Sequence, residues 1–80
     1  MKTVVYAETA MKQMLKLPVD VRRRLVAKLE EYALTGRGDV KKLKGREGAR
    51  LRVGDYRIIF AETAHAIEVF EAGHRRNIYG

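Results

Sequence analysis

Hydrophobic positions change their period along this 80-residue chain. Residues 2 to 6, KTVVY, are β-branched and aromatic and predict a short strand. From about Glu8 to Lys16 the apolar residues Ala10, Met11, Met14 and Leu15 recur at helical spacing. Leu17 breaks that pattern, and Pro18 stands where a helix accepts a first-turn proline. A second helix is expected to run to Leu34 or Thr35. Its stripe of Val21, Leu25, Leu29 and Tyr32, widened by Val26 and Ala33, lies opposite Arg22, Arg23, Arg24, Lys28, Glu30 and Glu31. The two helices thus form a hairpin with one apolar side.

Gly36 and Gly38 end the helical pattern, and RGDVKKLKGREG reads as a polar, glycine-punctuated connection. Beyond it the period becomes two. Ala49 to Val53, Tyr56 to Ala61 and Ala66 to Ala72 predict three strands, joined by Gly54-Asp55 and by the ETAH segment. The expected class is α+β: an N-terminal strand, a helical hairpin, then an antiparallel three-stranded meander, with the helices on one face of a single sheet.

A two-residue loop at Gly54-Asp55 fixes the hairpin register. Val53 then faces Tyr56, Arg52 faces Arg57, Leu51 faces Ile58 and Arg50 faces Ile59. Val53, Leu51, Tyr56, Ile58 and Phe60 share a face that belongs under the helices. Arg50, Arg52 and Arg57 share the other, where the third strand is expected to add Glu68. Opposing Arg52 to Arg57 costs stability, because like charges repel at cross-strand distance.

Length and composition narrow the classes. Eighty residues make one small domain, spanning residues 1–80, and a domain of this size buries only about 60% of its unfolded surface. With 46% hydrophobic residues and one proline the chain lies outside the disordered range. It has no cysteine, which excludes disulfides and thiolate metal sites. The start, MKTVVYAETAMKQ, has too short an apolar run for a secretory signal or a membrane span, so a cytoplasmic location is expected. Seventeen Lys and Arg against ten Asp and Glu give a net charge of +7, which points to an anionic partner.

Arginine suits a phosphate partner, since its planar fork donates two parallel hydrogen bonds and stays charged at physiological pH. Arg50, Arg52 and Arg57 on one rigid face can clamp a phosphate, and Lys41, Lys42, Lys44 and Arg46 can hold its neighbours by charge. In the tail GHRRNIYG, His74 is suited to proton transfer, Arg75 and Arg76 extend the cationic surface, and Tyr79 offers a ring to stack on a base. The chain has neither Ser nor Cys to act as a nucleophile, no phosphate-binding glycine loop, and two histidines without a metal-site pattern. Neither a metal nor another cofactor is expected.

In length, element order, KLKGREGARLRVGDYRIIF and VFEAGHRRNIY, the chain resembles the RelE/ParE superfamily of toxins from bacterial and archaeal toxin-antitoxin operons. On the RelE branch the resemblance implies a ribosome-dependent endoribonuclease that cuts mRNA without a metal and is silenced by a cognate antitoxin in a hetero-oligomer. It assigns the phosphate site to Arg50, Arg52, Arg57 and Arg75, and base stacking to Tyr79. Where some relatives carry lysine, this chain has Arg50, Arg52 and His74; arginine is a poor general base, which leaves acid-base work to His74. The resemblance ends at Gly80, short of a C-terminal helix some members possess. Two other readings stay open: a ParE-like inhibitor of DNA gyrase, and a non-catalytic module that grips RNA or an acidic peptide.

Overall fold

The computed structural model describes residues 1–78. Strand β1 (Thr3–Tyr6) leads into α1 (Glu8–Leu15) and α2 (Val19–Thr35). Four strands follow: β2 (Asp39–Lys42), β3 (Ala49–Val53), β4 (Tyr56–Glu62) and β5 (Ala66–His74). They form one five-stranded sheet in the order β1-β5-β4-β3-β2. β1 runs parallel to β5, and every other pairing is antiparallel. The α+β class and the meander of β3, β4 and β5 match the expectation from sequence. α1 packs chiefly over β5, and α2 lies over β1 and β3.

Apolar residues spaced by helical turns meet apolar residues spaced by two, and this builds the core. Ala10, Met14, Val21, Leu25, Leu29 and Ala33 pack from the helices onto Leu51, Val53, Ile58, Phe60, Ile67, Val69 and Ala72 of the sheet. Leu25, Leu29, Ile58, Phe60, Ile67 and Val69 are wholly buried, each worth about 1.5–3 kcal/mol. The Tyr32 ring stands 5.4 Å from that of Phe60, tilted by 60°. Its hydroxyl donates to Glu62 Oε1 at 2.6 Å, and Lys2 Nζ donates to the other carboxylate oxygen, so one side chain ties α2 and β4 to the residue that precedes β1.

Three expectations change. The connection after α2 contains a strand, β2, because Val40 alternates with charged neighbours and pairs with Leu51 on the core side. Its charges masked it in the sequence, yet charged side chains are what a short edge strand carries to prevent further pairing. Pro18 is the cap residue of α2 and lies just outside the first turn. β5 extends to His74 and has a bulge opposite Ile59 and Phe60: Ile59 pairs with Glu71 while Phe60 pairs with Val69, leaving Phe70 as the extra residue.

That bulge decides which side chains face which way. It turns Ala72 into the core beside Ile58 and sends Glu71 to the opposite face. β1 stops at Tyr6, so it cannot pair with this end of β5. In its place Gln13 of α1 accepts from the Ala72 amide through Oε1 at 2.8 Å. Among the described residues no helix is long and apolar enough to cross a membrane.

Candidate functional site

The β3-β4 hairpin has the register its two-residue loop dictates, with Arg52 opposite Arg57 and Arg50 opposite Ile59. Gly54 carries the loop's positive φ of 60° and Asp55 does not, the pattern of a turn with glycine at its first central position. Following the pairing across four strands gives two rows on the face away from the helices. One row is Asp39, Arg52, Arg57 and Gly73; the other is Lys41, Arg50, Ile59 and Glu71. Three arginines therefore hold the centre of this face, with one acid at each diagonal corner.

Both opposed arginines donate to one backbone oxygen. Arg52 Nε reaches the Gly54 carbonyl at 3.3 Å, and Arg57 Nη1 reaches it at 3.4 Å while also donating to the Tyr56 carbonyl at 3.3 Å. The Arg57 guanidinium is held below its ordinary pKa, first by desolvation and then by the charges of Arg50, Arg52 and Arg75, with Asp39 opposing. Arg75 is thus part of the same cluster although it comes from the tail. On the β5 side, Arg46 of the 43–48 loop sits 3.8 Å from Glu71.

A second structural device brings the tail to this face. Gly73 stands opposite Arg57, and a Cβ built on it would lie 3.2 and 3.4 Å from carbons of Ile78. Ile78 therefore rests where a side chain of residue 73 would be. Ile78 and Ile59 are buried, yet neither belongs to the helix-side core, so the arginine face has an apolar anchor of its own. The Arg75 amide donates to the Asp55 carbonyl at 2.8 Å, and Arg75 Nε lies 3.9 Å from Asp55 Oδ1. Asp55 thus couples the hairpin turn to the tail.

The site residues expected from sequence fall into three groups. Arg50, Arg52, Arg57 and Arg75 come together, with Lys41 and Arg46 on the same side of the sheet. Lys42 takes the core-side parity at the edge, opposite Ala49; Lys44 is exposed in the loop and Arg76 in the tail turn. His74 pairs with Tyr56 on the helix side, its ring 5.5 Å from the tyrosine ring at 77°, and so points away from Arg57. Tyr79 lies outside the described residues. Glu68 does reach the arginine face, opposite Ala61, one row beyond Ile59.

Sequence reasoning missed Gly73, Ile78, Asp39 and Glu71 as parts of this site. A signal existed for the apolar anchor: Ile59 is an isoleucine at an outward position among arginines, and such a residue needs a cover. Glu71 had none, because only the bulge sets its direction. A groove of about 710 Å³ between the 43–48 loop and the β4-β5 turn, lined by Lys2, Lys42, Arg46 and Glu62, includes none of the four clustered arginines. Among the described residues no group of three or more His, Cys, Asp or Glu is placed to hold a metal ion.

Neither a protein-family model nor a curated protein matches the chain. Solved structures do. A chain of the RelB-RelE antitoxin-toxin complex from Methanococcus jannaschii is 31% identical, with a TM-score of 0.77 and 94% of each chain covered. The isolated RelE toxin of E. coli is 26% identical, with a TM-score of 0.73 over 92% of this chain and 84% of that one. YafQ from E. coli strain BL21(DE3), 12% identical with a TM-score of 0.68 and both chains covered in full, shares the fold. Identity over nearly the whole length of the first of these, together with the same strand and helix order, establishes that the chain belongs to the RelE-like toxin superfamily.

Proposed function

We propose that this chain, as one toxin domain over residues 1–80, is the toxin of a toxin-antitoxin pair and an endoribonuclease that cuts mRNA on the ribosome, in the cytoplasm, to arrest translation. The observation that carries this reading is the gathering of Arg50, Arg52, Arg57 and Arg75 at one end of a rigid sheet face. Their mutual repulsion is relieved by an anion, and a chain of phosphates supplies one at each nucleotide. Relatives of the chain occur in complex with an antitoxin, which supports a partner of that kind and a hetero-oligomer here.

In the proposed reaction the ribose 2'-hydroxyl oxygen attacks the adjacent phosphorus as its proton passes to solvent, and the 5'-oxygen leaves and takes a proton from water, giving a cyclic phosphate and a 5'-hydroxyl. Arg57 and Arg75 bind the phosphate and offset the charge that grows on it; Arg50 and Arg52 support that charge and orient the backbone. Lys41, Lys44, Arg46 and Arg76 hold flanking phosphates, Lys42 adds charge at the edge, and Tyr79 stacks on the base. No protein nucleophile is needed.

The test is to incubate the purified chain with translating ribosomes, map mRNA ends, and run a gyrase supercoiling assay beside it. New ends carrying a cyclic phosphate are expected, with supercoiling unchanged. Intact mRNA would overturn the reading, and inhibited supercoiling in its place would assign the chain to gyrase.

A further inference from the structure

We propose that His74 is a positioning residue, one whose ring Nδ1 holds the turn that delivers Arg75 to the arginine face and which transfers no proton. The inference rests on the RNA-cleavage reading of that face. Among the described residues, the four amides that follow β5 are all accounted for. The Arg75 amide donates to the Asp55 carbonyl, the Arg76 amide to His74 Nδ1 at 3.2 Å, and the amides of Asn77 and Ile78 to the His74 carbonyl at 2.8 and 3.2 Å. One residue thus accepts three of the four bonds that shape the tail.

The bond to Arg76 has a chemical consequence: Nδ1 offers its lone pair, so in the neutral ring the proton is on Nε2. The ring itself is set edge-on against Tyr56 at 5.5 Å, on the helix side of the sheet. Arg57, the next residue of β4, points to the opposite side. For proton transfer at a phosphate held by Arg57, the imidazole would have to leave both Tyr56 and Arg76, which would release the turn carrying Arg75. Where it stands, it does for the tail what an asparagine does in an Asx turn, accepting from the backbone two residues on.

Asparagine therefore supplies the discriminating variant, since its Oδ1 can replace Nδ1 as acceptor and it cannot act as an acid. The full chain is compared with His74→Asn, His74→Gln and His74→Ala by two readouts: hydrogen exchange of the Arg76 amide by NMR, and cleavage of ribosome-bound mRNA. His74→Ala and His74→Gln should lose protection at Arg76 and cleave about 100-fold more slowly, the cost of a misplaced binding group. His74→Asn should restore both. If His74→Asn protects the amide yet cleaves as poorly as His74→Ala, the imidazole moves a proton and the proposal is overturned; full protection and cleavage in His74→Ala also overturn it. Should the wild-type chain itself fail to cut mRNA, the cleavage reading falls, and affinity for an uncleavable 2'-O-methyl RNA replaces the second readout. Weakened binding in His74→Ala that His74→Asn recovers then supports the positioning role, and unchanged binding overturns it.

Discussion

Arg52 and Arg57 stand directly opposite each other on β3 and β4, and both donate to the carbonyl oxygen of Gly54, at 3.3 and 3.4 Å. A single carbonyl dipole holds the two guanidinium groups in place without neutralising them. The hairpin therefore presents two fixed positive charges, with Arg50 beside them and Arg75 brought in by the tail.

Removing one member of the opposed pair should stabilise the protein. Arg52→Ser is expected to raise unfolding free energy by up to roughly 1 kcal/mol in urea titrations at low salt, because cross-strand repulsion is relieved. The gain should shrink when the titration is repeated at about 1 M salt, where charges more than roughly 3 Å apart are screened. Loss of stability at low salt would show that the Gly54 bond outweighs the repulsion.

Charge alone should not satisfy the site. Arg57→Lys keeps the charge but loses the planar fork, and the proposed ribosome-dependent cleavage is expected to fall by about 100-fold or more, as when one donor to a developing oxyanion is removed. A nearly silent substitution would favour a binding module that recognises net charge.

Gly73 leaves the space in which Ile78 lies. Gly73→Val should push Ile78 off the sheet and take Arg75 with it. The proposed cleavage should drop by about 100-fold, while the amide resonances of β1 to β4 stay in place; a variant that cuts as well as the wild type would show that the tail is not held through this contact.

The Glu62 clasp should be visible in the pH dependence of stability. The hydrogen bond from Lys2, then that from Tyr32, holds the Glu62 carboxyl below its ordinary 4.5 against the opposing effect of burial. A depressed folded pKa gives stability that is present above 4.5 and lost as pH falls toward the lower folded value. Desolvation, then the bond to Glu62, pushes Tyr32 up from 10.0 to about 12, so its contribution is present below pH 10.0 and lost as pH rises through about 12. Glu62→Gln should flatten the acid side of a stability-pH curve and weaken the alkaline side; an unchanged acid limb would refute the clasp.

Gln13 completes the end of β5 that β1 does not cover. Gln13→Leu leaves the Ala72 amide without its side-chain acceptor, at a cost of about 1–3 kcal/mol. For a domain of this size each kcal/mol lowers Tm by about 4–8 °C, measurable by thermal denaturation. An unchanged Tm would show that the amide finds another acceptor.

The order of elements, the apolar face and the arginine register were legible in the sequence. Each depends on local rules: helical spacing in α1 and α2, alternation in β3 to β5, and a two-residue loop that leaves one pairing for Arg52 and Arg57. β2 was hidden because Asp39, Lys41 and Lys42 make an edge strand look like a loop, and only its partner β3 shows that Val40 faces the core.

What the sequence by itself determined is that three arginines share one outward face of a small basic α+β domain. Tertiary structure alone decided what surrounds them. The bulge at Phe70 changes the parity of β5 and so sends Glu71 outward and Ala72 inward, a shift that alternation cannot anticipate. The placement of Arg75 depends on Ile78 folding back over Gly73, five residues earlier, and on an amide reaching Asp55 in the hairpin turn, twenty residues away. Residue patterns report which side of an element is apolar; where two elements close on each other is set by packing and by the backbone groups left to be paired.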